Sequence, residues 1–227
     1  MSNYSWITFD CYGTLIDWEK GITGSFEKMA MAAGIAVDRN QVLKLYRKYE
    51  REEEMQYKKY RDVLTRVGRR ICFELGLQTN SFDFLVDDLP RWRPFPDTDR
   101  ALRQLSRNHK LGILSNVDND LLAATRRHFS VNFDLVITAQ DLSSYKPGLG
   151  HFYDARRRIG TVEWIHAAQS YYHDIAPCKQ LAIPSAWINR QGELLTDKEP
   201  RFVFDGPDLQ SFADWMDPVD PSAGMFG

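Results

Sequence analysis

Four places in this 227-residue chain carry side chains whose types could do chemistry together: Asp10, the pair Ser115 and Asn116, Lys146, and Asp174. A carboxylate can attack an electrophilic carbon or phosphorus and hold the product as a covalent ester or acyl phosphate. A lysine ammonium beside it favours the ionised form. A hydroxyl–amide pair supplies hydrogen-bond donors and acceptors, and a second carboxylate can aim a water molecule. Taken one at a time, each also has an ordinary use. Asp10 could end a strand in a turn, Ser115 and Asn116 could cap a helix, Lys146 could lie on the surface, and Asp174 could cap the helix that follows it.

The elements around these residues decide whether they meet. Residues 5–9 (SWITF) are a short aromatic and β-branched run that stops at Asp10, the pattern of a buried strand. Residues 10–17 (DCYGTLID) supply Gly13 for a tight turn, and an apolar stripe at helical spacing covers 21–33. Residues 38–75 are highly charged, with Leu45, Tyr49, Tyr57, Tyr60, Val63 and Leu64 as an intermittent apolar face; two or more long, solvated helices are expected. A helical stretch at 81–89 leads to the two prolines of RPFPD (93–97).

After Pro96 the texture changes. Strands are expected at 110–114, 133–138, 164–168 and 185–188, with an edge strand at 202–204. Helices are expected at 98–108, 118–128, 150–159, 175–181 and 207–215. Such alternation means right-handed βαβ units and a parallel sheet covered on both faces. The fold class is therefore α/β, a Rossmann-like core with a helical cap inserted after the first strand. The expected division is 1–18 and 93–217 for the core, 19–92 for the cap, and 218–227 for a disordered tail without periodicity. In an open parallel sheet, ligands bind outside the carboxyl ends of the strands. All four candidate places fall there or on the loops just beyond.

Bulk properties narrow the partners. A formal net charge of −2 gives no general field for nucleic acid or an anionic membrane, though a local basic patch would serve a small anionic substrate. No apolar run approaches the roughly 20 residues of a membrane span. The first residues lack the basic and apolar regions of a secretory signal. Three cysteines without a motif fit a reduced, cytoplasmic setting. The five histidines have no metal-ligand spacing and read as structural or surface residues.

Several segments together resemble the haloacid dehalogenase superfamily. FDCYGTLID (9–17) is similar to its first motif, ILSNVD (113–118) to the second, YKP (145–147) to the third, and HAAQSYYHD (166–174) stands where the acidic fourth motif belongs. AWINRQG (186–192) is similar to a segment of the type II, L-2-haloacid branch. The resemblance implies that Asp10 is the nucleophile, that Lys146 orients it and binds the substrate carboxylate, and that Asp174 aims the hydrolytic water. It further implies substrate or leaving-group contacts from Tyr12, Thr14, Ser115 and Asn116, and it is compatible with a homodimer.

Within that resemblance Tyr12 points to the reaction. Phosphatases of the superfamily usually place an aspartate there as a general acid, because a departing alkoxide needs a proton. A tyrosine, with an ordinary pKa of about 10, donates poorly at neutral pH, whereas halide leaves unprotonated. The bland alternative is that Tyr12 only packs under the cap. Gln169 stands where related phosphatases often carry an acid, so metal-free dehalogenation of short 2-haloacids to 2-hydroxy acids, with no cofactor, is the expectation. A phosphatase holding Mg2+ through Asp10 and Asp174 is the alternative, and a catalytically idle binding module the third. Three features depart from the dehalogenase pattern: Gln169 and Tyr171 replace a serine and an asparagine, Phe152 replaces a tyrosine, and the halide-binding cap arginine is either Arg47 or Arg51.

Overall fold

The computed structural model describes residues 4–195 and 202–218. Strands β1 (Trp6–Phe9), β2 (Lys110–Ser115), β3 (Leu135–Thr138), β4 (Trp164–Ala168), β5 (Ser185–Ile188) and β6 (Phe204–Gly206) form one six-stranded sheet in the order β3-β2-β1-β4-β5-β6. Every neighbouring pair is parallel. The α/β fold class read from the sequence is the one found. β1 has β2 on one side and β4 on the other, so successive crossovers leave it in opposite directions. That reversal is a topological switch point, and it opens a crevice at the carboxyl end of β1.

Both faces of the sheet are covered, which explains why β4 throughout and β2 from Leu111 onward are buried at every position and not at alternate ones. Between β1 and β2 run helices α1 (Trp18–Ala32), α2 (Arg39–Glu53), α3 (Tyr60–Glu74) and α4 (Phe84–Asp88). Asp17 and Asp38 accept from the first-turn amides of Lys20 and Asn40 and start α1 and α2. The charged 38–75 stretch is thus two helices, whose buried residues Val42, Tyr46, Tyr49, Val63, Leu64 and Val67 recur at helical spacing.

One core carboxylate ties this helical block to the sheet. Asp118, buried in the loop after β2, accepts from the backbone amides of Tyr60 (2.9 Å) and Arg61 (3.0 Å) and so caps α3 from outside its own segment. Its charge also complements the positive end of the helix dipole. Tyr145 adds a hydroxyl bond to the carbonyl of Lys58 at 2.7 Å. The second anchor is steric: Gly21 of α1 lies against Trp92, where a Cβ would stand 2.3 Å from the indole Cγ.

Later helices are α5 (Thr98–Leu105), α6 (Asn119–Thr125), α7 (Ala139–Leu142), α8 (Gly150–Ile159), α9 (Ala176–Gln180) and α10 (Leu209–Met216). Three differences from expectation stand out. α7 is a single capped turn, held by Thr138 and Asp141, too short to show periodicity. The helix expected at 175–181 is shorter, because residues 171–175 form a π-helical turn before α9. The edge strand falls at Phe204–Gly206 instead of 202–204. The expected tail lies, apart from Pro218, outside the described residues. No helix among the described residues is long and apolar enough to cross a membrane.

Candidate active site

Asp10 immediately follows β1, and its amide continues the ladder to Ala167 O at 3.1 Å. It therefore emerges between β2 and β4 at the switch point. The loop behind it is pinned from three directions. Gly13 takes φ = +106°, which a residue with a Cβ rarely adopts. The Arg190 guanidinium donates to Thr14 O (2.9 Å) while bridging to both oxygens of Asp97 at 3.0 Å. Thr98 donates to Leu15 O at 2.9 Å. This explains the RPFPD and AWINRQG segments physically: they lock the turn that follows Asp10.

Lys146, on the loop after β3, reaches into the same crevice with only 1% of its surface exposed. Its ammonium donates to Asp10 Oδ1 (2.9 Å), Asp174 Oδ1 (2.6 Å) and the carbonyl of Leu114 (2.8 Å). An ammonium has three N–H donors, so all are engaged. Asn116 grips the backbone of Lys146 on both sides, donating to its carbonyl (2.9 Å) and accepting from its amide (2.7 Å). Thr14 donates to Asp10 Oδ2 at 3.0 Å and accepts from the Gln169 amide at 2.9 Å.

These bonds alter several expectations. Lys146 has no donor left for a substrate carboxylate, because the two protein carboxylates and a carbonyl use them all. The Thr14 hydroxyl donates to Asp10 instead of being free for a ligand, and Asn116 positions the lysine loop. The Tyr12 ring lines the cavity, but its hydroxyl pairs with Thr125 Oγ1 at 2.8 Å. Ser115 differs from these: it lines the cavity, it is fully buried, and its Oγ has no hydrogen-bond partner among the described residues.

The electrostatics follow from three charges sharing one dry site. Burial pushes the Asp10 carboxyl above its ordinary value; the Lys146 ammonium opposes that and the Asp174 carboxylate adds to it. Burial works the same way on Asp174, but Lys146 and the His166 side chain overcome it and hold Asp174 well below the usual carboxylate range. Burial alone would lower Lys146, yet the two carboxylates raise it far enough to keep it cationic. Burial also pushes the Tyr12 hydroxyl well above its ordinary value.

A residue that sequence reasoning set aside joins this group. His166, in the middle of β4 and without exposed surface, places Nε2 3.0 Å from Asp174 Oδ1 and Nδ1 2.8 Å from Thr8 Oγ1. Its one advance signal was a polar side chain inside an otherwise apolar central strand.

The cavity over Asp10 measures about 500 Å³ and is closed on its far side by α2. Arg47 is ion-paired with Glu19, whereas Arg51 makes no ion pair among the described residues and lies 5.8 Å from the Tyr172 ring. Glu50 accepts from the hydroxyls of Tyr46 (3.0 Å) and Tyr60 (2.7 Å), and burial raises it. Burial and Glu50 together push Glu54 well above its ordinary value. For a magnesium ion the donors fit poorly. Asp10 and Asp174 are already bridged by the Lys146 ammonium, Gln169 turns its Nε2 to Glu193 at 3.2 Å, and no group of three His, Cys, Asp or Glu side chains that could hold a metal is found among the described residues.

Comparison with known proteins places this geometry. Residues 4–167 match the family model described as haloacid dehalogenase-like hydrolase. An (S)-2-haloacid dehalogenase of Pseudomonas putida is 25% identical over 95% of this chain and 98% of its own length. A glyceraldehyde 3-phosphate phosphatase of Methanothermobacter thermautotrophicus is 28% identical over 68% of this chain and 71% of its own. Among solved structures, L-2-haloacid dehalogenase from Xanthobacter autotrophicus with chloropropionic acid covalently bound superposes with a TM-score of 0.79 at 18% identity, covering 96% of this chain and 100% of that one. At that identity the likeness is one of fold.

Proposed function

Given that the chain belongs to the haloacid dehalogenase-like hydrolases, we propose that it is a metal-independent 2-haloacid dehalogenase whose nucleophile is Asp10. The observation that carries this reading is the absence of a positioned proton donor for a leaving group at Tyr12. Its hydroxyl is turned to Thr125 and held far from acidity. A leaving group that needs no proton suits such a site, and halide is one.

In this reading an Asp10 oxygen attacks the α-carbon of a 2-haloacid, forming the C–O bond as the carbon–halogen bond breaks. Halide departs with the electron pair. Water then attacks the carboxyl carbon of the Asp10 ester, and Asp174 takes its proton. The tetrahedral intermediate releases the 2-hydroxy acid, whose alkoxide is reprotonated, and Asp10 is restored with one oxygen drawn from water. Lys146 keeps Asp10 ionised in a site where burial alone would protonate it. With Lys146 and Thr14 engaged, the substrate's anionic ends fall to Ser115 Oγ and to Arg51, which lines the cavity and makes no ion pair among the described residues. The family member from Pseudomonas putida supports the substrate class, and the Xanthobacter structure supports a covalent route.

The phosphatase relative keeps a phosphate ester as the second reading. The test is a panel of 2-haloacids and small phosphate esters, assayed with EDTA and with added magnesium. Halide release unaffected by EDTA is expected. Phosphate release that needs magnesium, with no halide release, would overturn the proposal.

A further inference from the structure

We propose that His166 is a positioning residue for the second half of the reaction: it fixes which oxygen of Asp174 faces the hydrolytic water. The inference rests on the dehalogenase reading above and concerns ester breakdown only.

The direction of hydrogen bonding through the buried strand face can be deduced. The Trp164 indole N–H can only donate, and it donates to Thr8 Oγ1 at 2.6 Å. Asp174, ionised against Lys146, can only accept, so the His166 nitrogen 3.0 Å from it must carry the hydrogen. Its other nitrogen, Nδ1, lies 2.8 Å from the Thr8 hydroxyl that accepts from Trp164, so both ring nitrogens are held. The register makes the chain of contacts possible, because Thr8 on β1 lies directly beside His166 on β4. An acceptor-only carboxylate at one end thus fixes a hydrogen on Nε2, and the Thr8 hydroxyl at the other end, tied to the Trp164 indole, holds the ring plane.

The consequence falls on Asp174. Oδ1 accepts from both Lys146 (2.6 Å) and His166 (3.0 Å), while Oδ2 has no hydrogen-bond partner among the described residues. The residue lines the cavity beside Asp10. Two donors on one oxygen hold the carboxylate plane and leave Oδ2, buried and unpaired among the described residues, as the oxygen with lone pairs open to the hydrolytic water. During ester hydrolysis water forms a bond to the Asp10 carboxyl carbon and its proton passes to Oδ2. Because Asp174 holds a proton weakly, it relays that proton to the departing alkoxide. Without His166, the carboxylate can rotate about its Cβ–Cγ bond and offer Oδ2 to Lys146 as well.

The effect should separate the two half-reactions. His166→Phe keeps a ring of similar size against Phe152, whose ring centroid is 5.4 Å from the imidazole. Rapid-quench measurement of halide with a 2-haloacid should show an unchanged first turnover in this variant. Mass spectrometry of the quenched protein should show the Asp10 ester accumulating, with breakdown slowed roughly 10- to 100-fold, part of the ~10²–10⁴ that a positioned base contributes. His166→Gln, which can still donate to Asp174, should recover most of the rate. If His166→Phe does not fold, Thr8→Val is the second probe, since it removes the hydroxyl that holds Nδ1 at nearly constant volume; several-fold slower breakdown with a normal first turnover is expected. Ester breakdown at the wild-type rate in the folded variants, or equal slowing of both half-reactions, would overturn the assignment. A wild-type enzyme that releases no halide in its first turnover and forms no ester would instead sink the dehalogenase reading itself, and this inference with it.

Discussion

Lys146 Nζ approaches Asp174 Oδ1 to 2.6 Å, closer than its 2.9 Å approach to Asp10 Oδ1. The cation is therefore shared unequally, lying nearer Asp174 than Asp10. Removing such a cation leaves two buried carboxylates without the charge that compensates them.

Lys146→Ala should accordingly lose at least about 10³-fold in turnover and also lose stability. Breaking a buried pair typically costs ~3–5 kcal/mol because the remaining charge is uncompensated. The sign with pH is fixed. Without the cation at least one carboxylate has a raised folded-state pKa, so the destabilisation grows as pH rises through it and fades in acid. Thermal unfolding at pH 5 and pH 8 checks this; a stability deficit that is larger at pH 5 would contradict it.

The pH dependence of kcat/KM in the wild type should show a single acid limb, above the ordinary 3.8 of an aspartate, set by Asp10. Its carboxyl is raised by burial and must be ionised to attack, so activity falls as pH drops through that raised value. Asp174 is lowered and stays ionised throughout, and Lys146 is raised and contributes no alkaline limb below about pH 10. A limb that titrates with two protons would show that both carboxylates change state together.

Tyr12→Phe removes a hydroxyl that bonds Thr125 and leaves the ring that packs at 6.1 Å from Trp92. Turnover should stay within about threefold, and stability should fall by about 1 kcal/mol for the lost hydrogen bond. A loss of kcat beyond 100-fold would make the hydroxyl a participant.

Much of this site was legible before any coordinates. Asp10 and Lys146 follow strands, and a parallel sheet brings such positions to one crevice whatever the details. The βαβ rhythm after Pro96 and the two-helix reading of 38–75 rest on periodicity, which packing enforced. What sequence could not give was the direction of individual hydrogen bonds. Thr14 and Lys146 looked like ligands for substrate, yet the buried carboxylates Asp10 and Asp174 take their hydrogens first. His166 was hidden for the opposite reason: inside an apolar strand its type signals burial, and only the neighbouring strand's register shows that Thr8 stands beside it. The π-helical turn that carries Asp174 has no periodic signature at all.

The cap arginines offer a separation by substitution. Arg51→Ala should raise KM for a 2-haloacid about tenfold with little change in kcat, because Arg51 lines the cavity and makes no ion pair among the described residues. Arg47→Ala should act less on KM, since its guanidinium is already paired with Glu19. Steady-state kinetics with the effects reversed would assign anion binding to Arg47.

The central claim is that the reaction passes through an ester on Asp10, and one measurement meets it directly. A single turnover of excess enzyme over a 2-haloacid in heavy-oxygen water, followed by mass spectrometry of the peptide containing Asp10 and of the product, reports where the first water oxygen goes. Heavy oxygen in the Asp10 carboxylate, with an unlabelled hydroxy acid released, is the result this account predicts. Heavy oxygen in the hydroxy acid and none in Asp10 would mean that water attacks the substrate directly, and would contradict it.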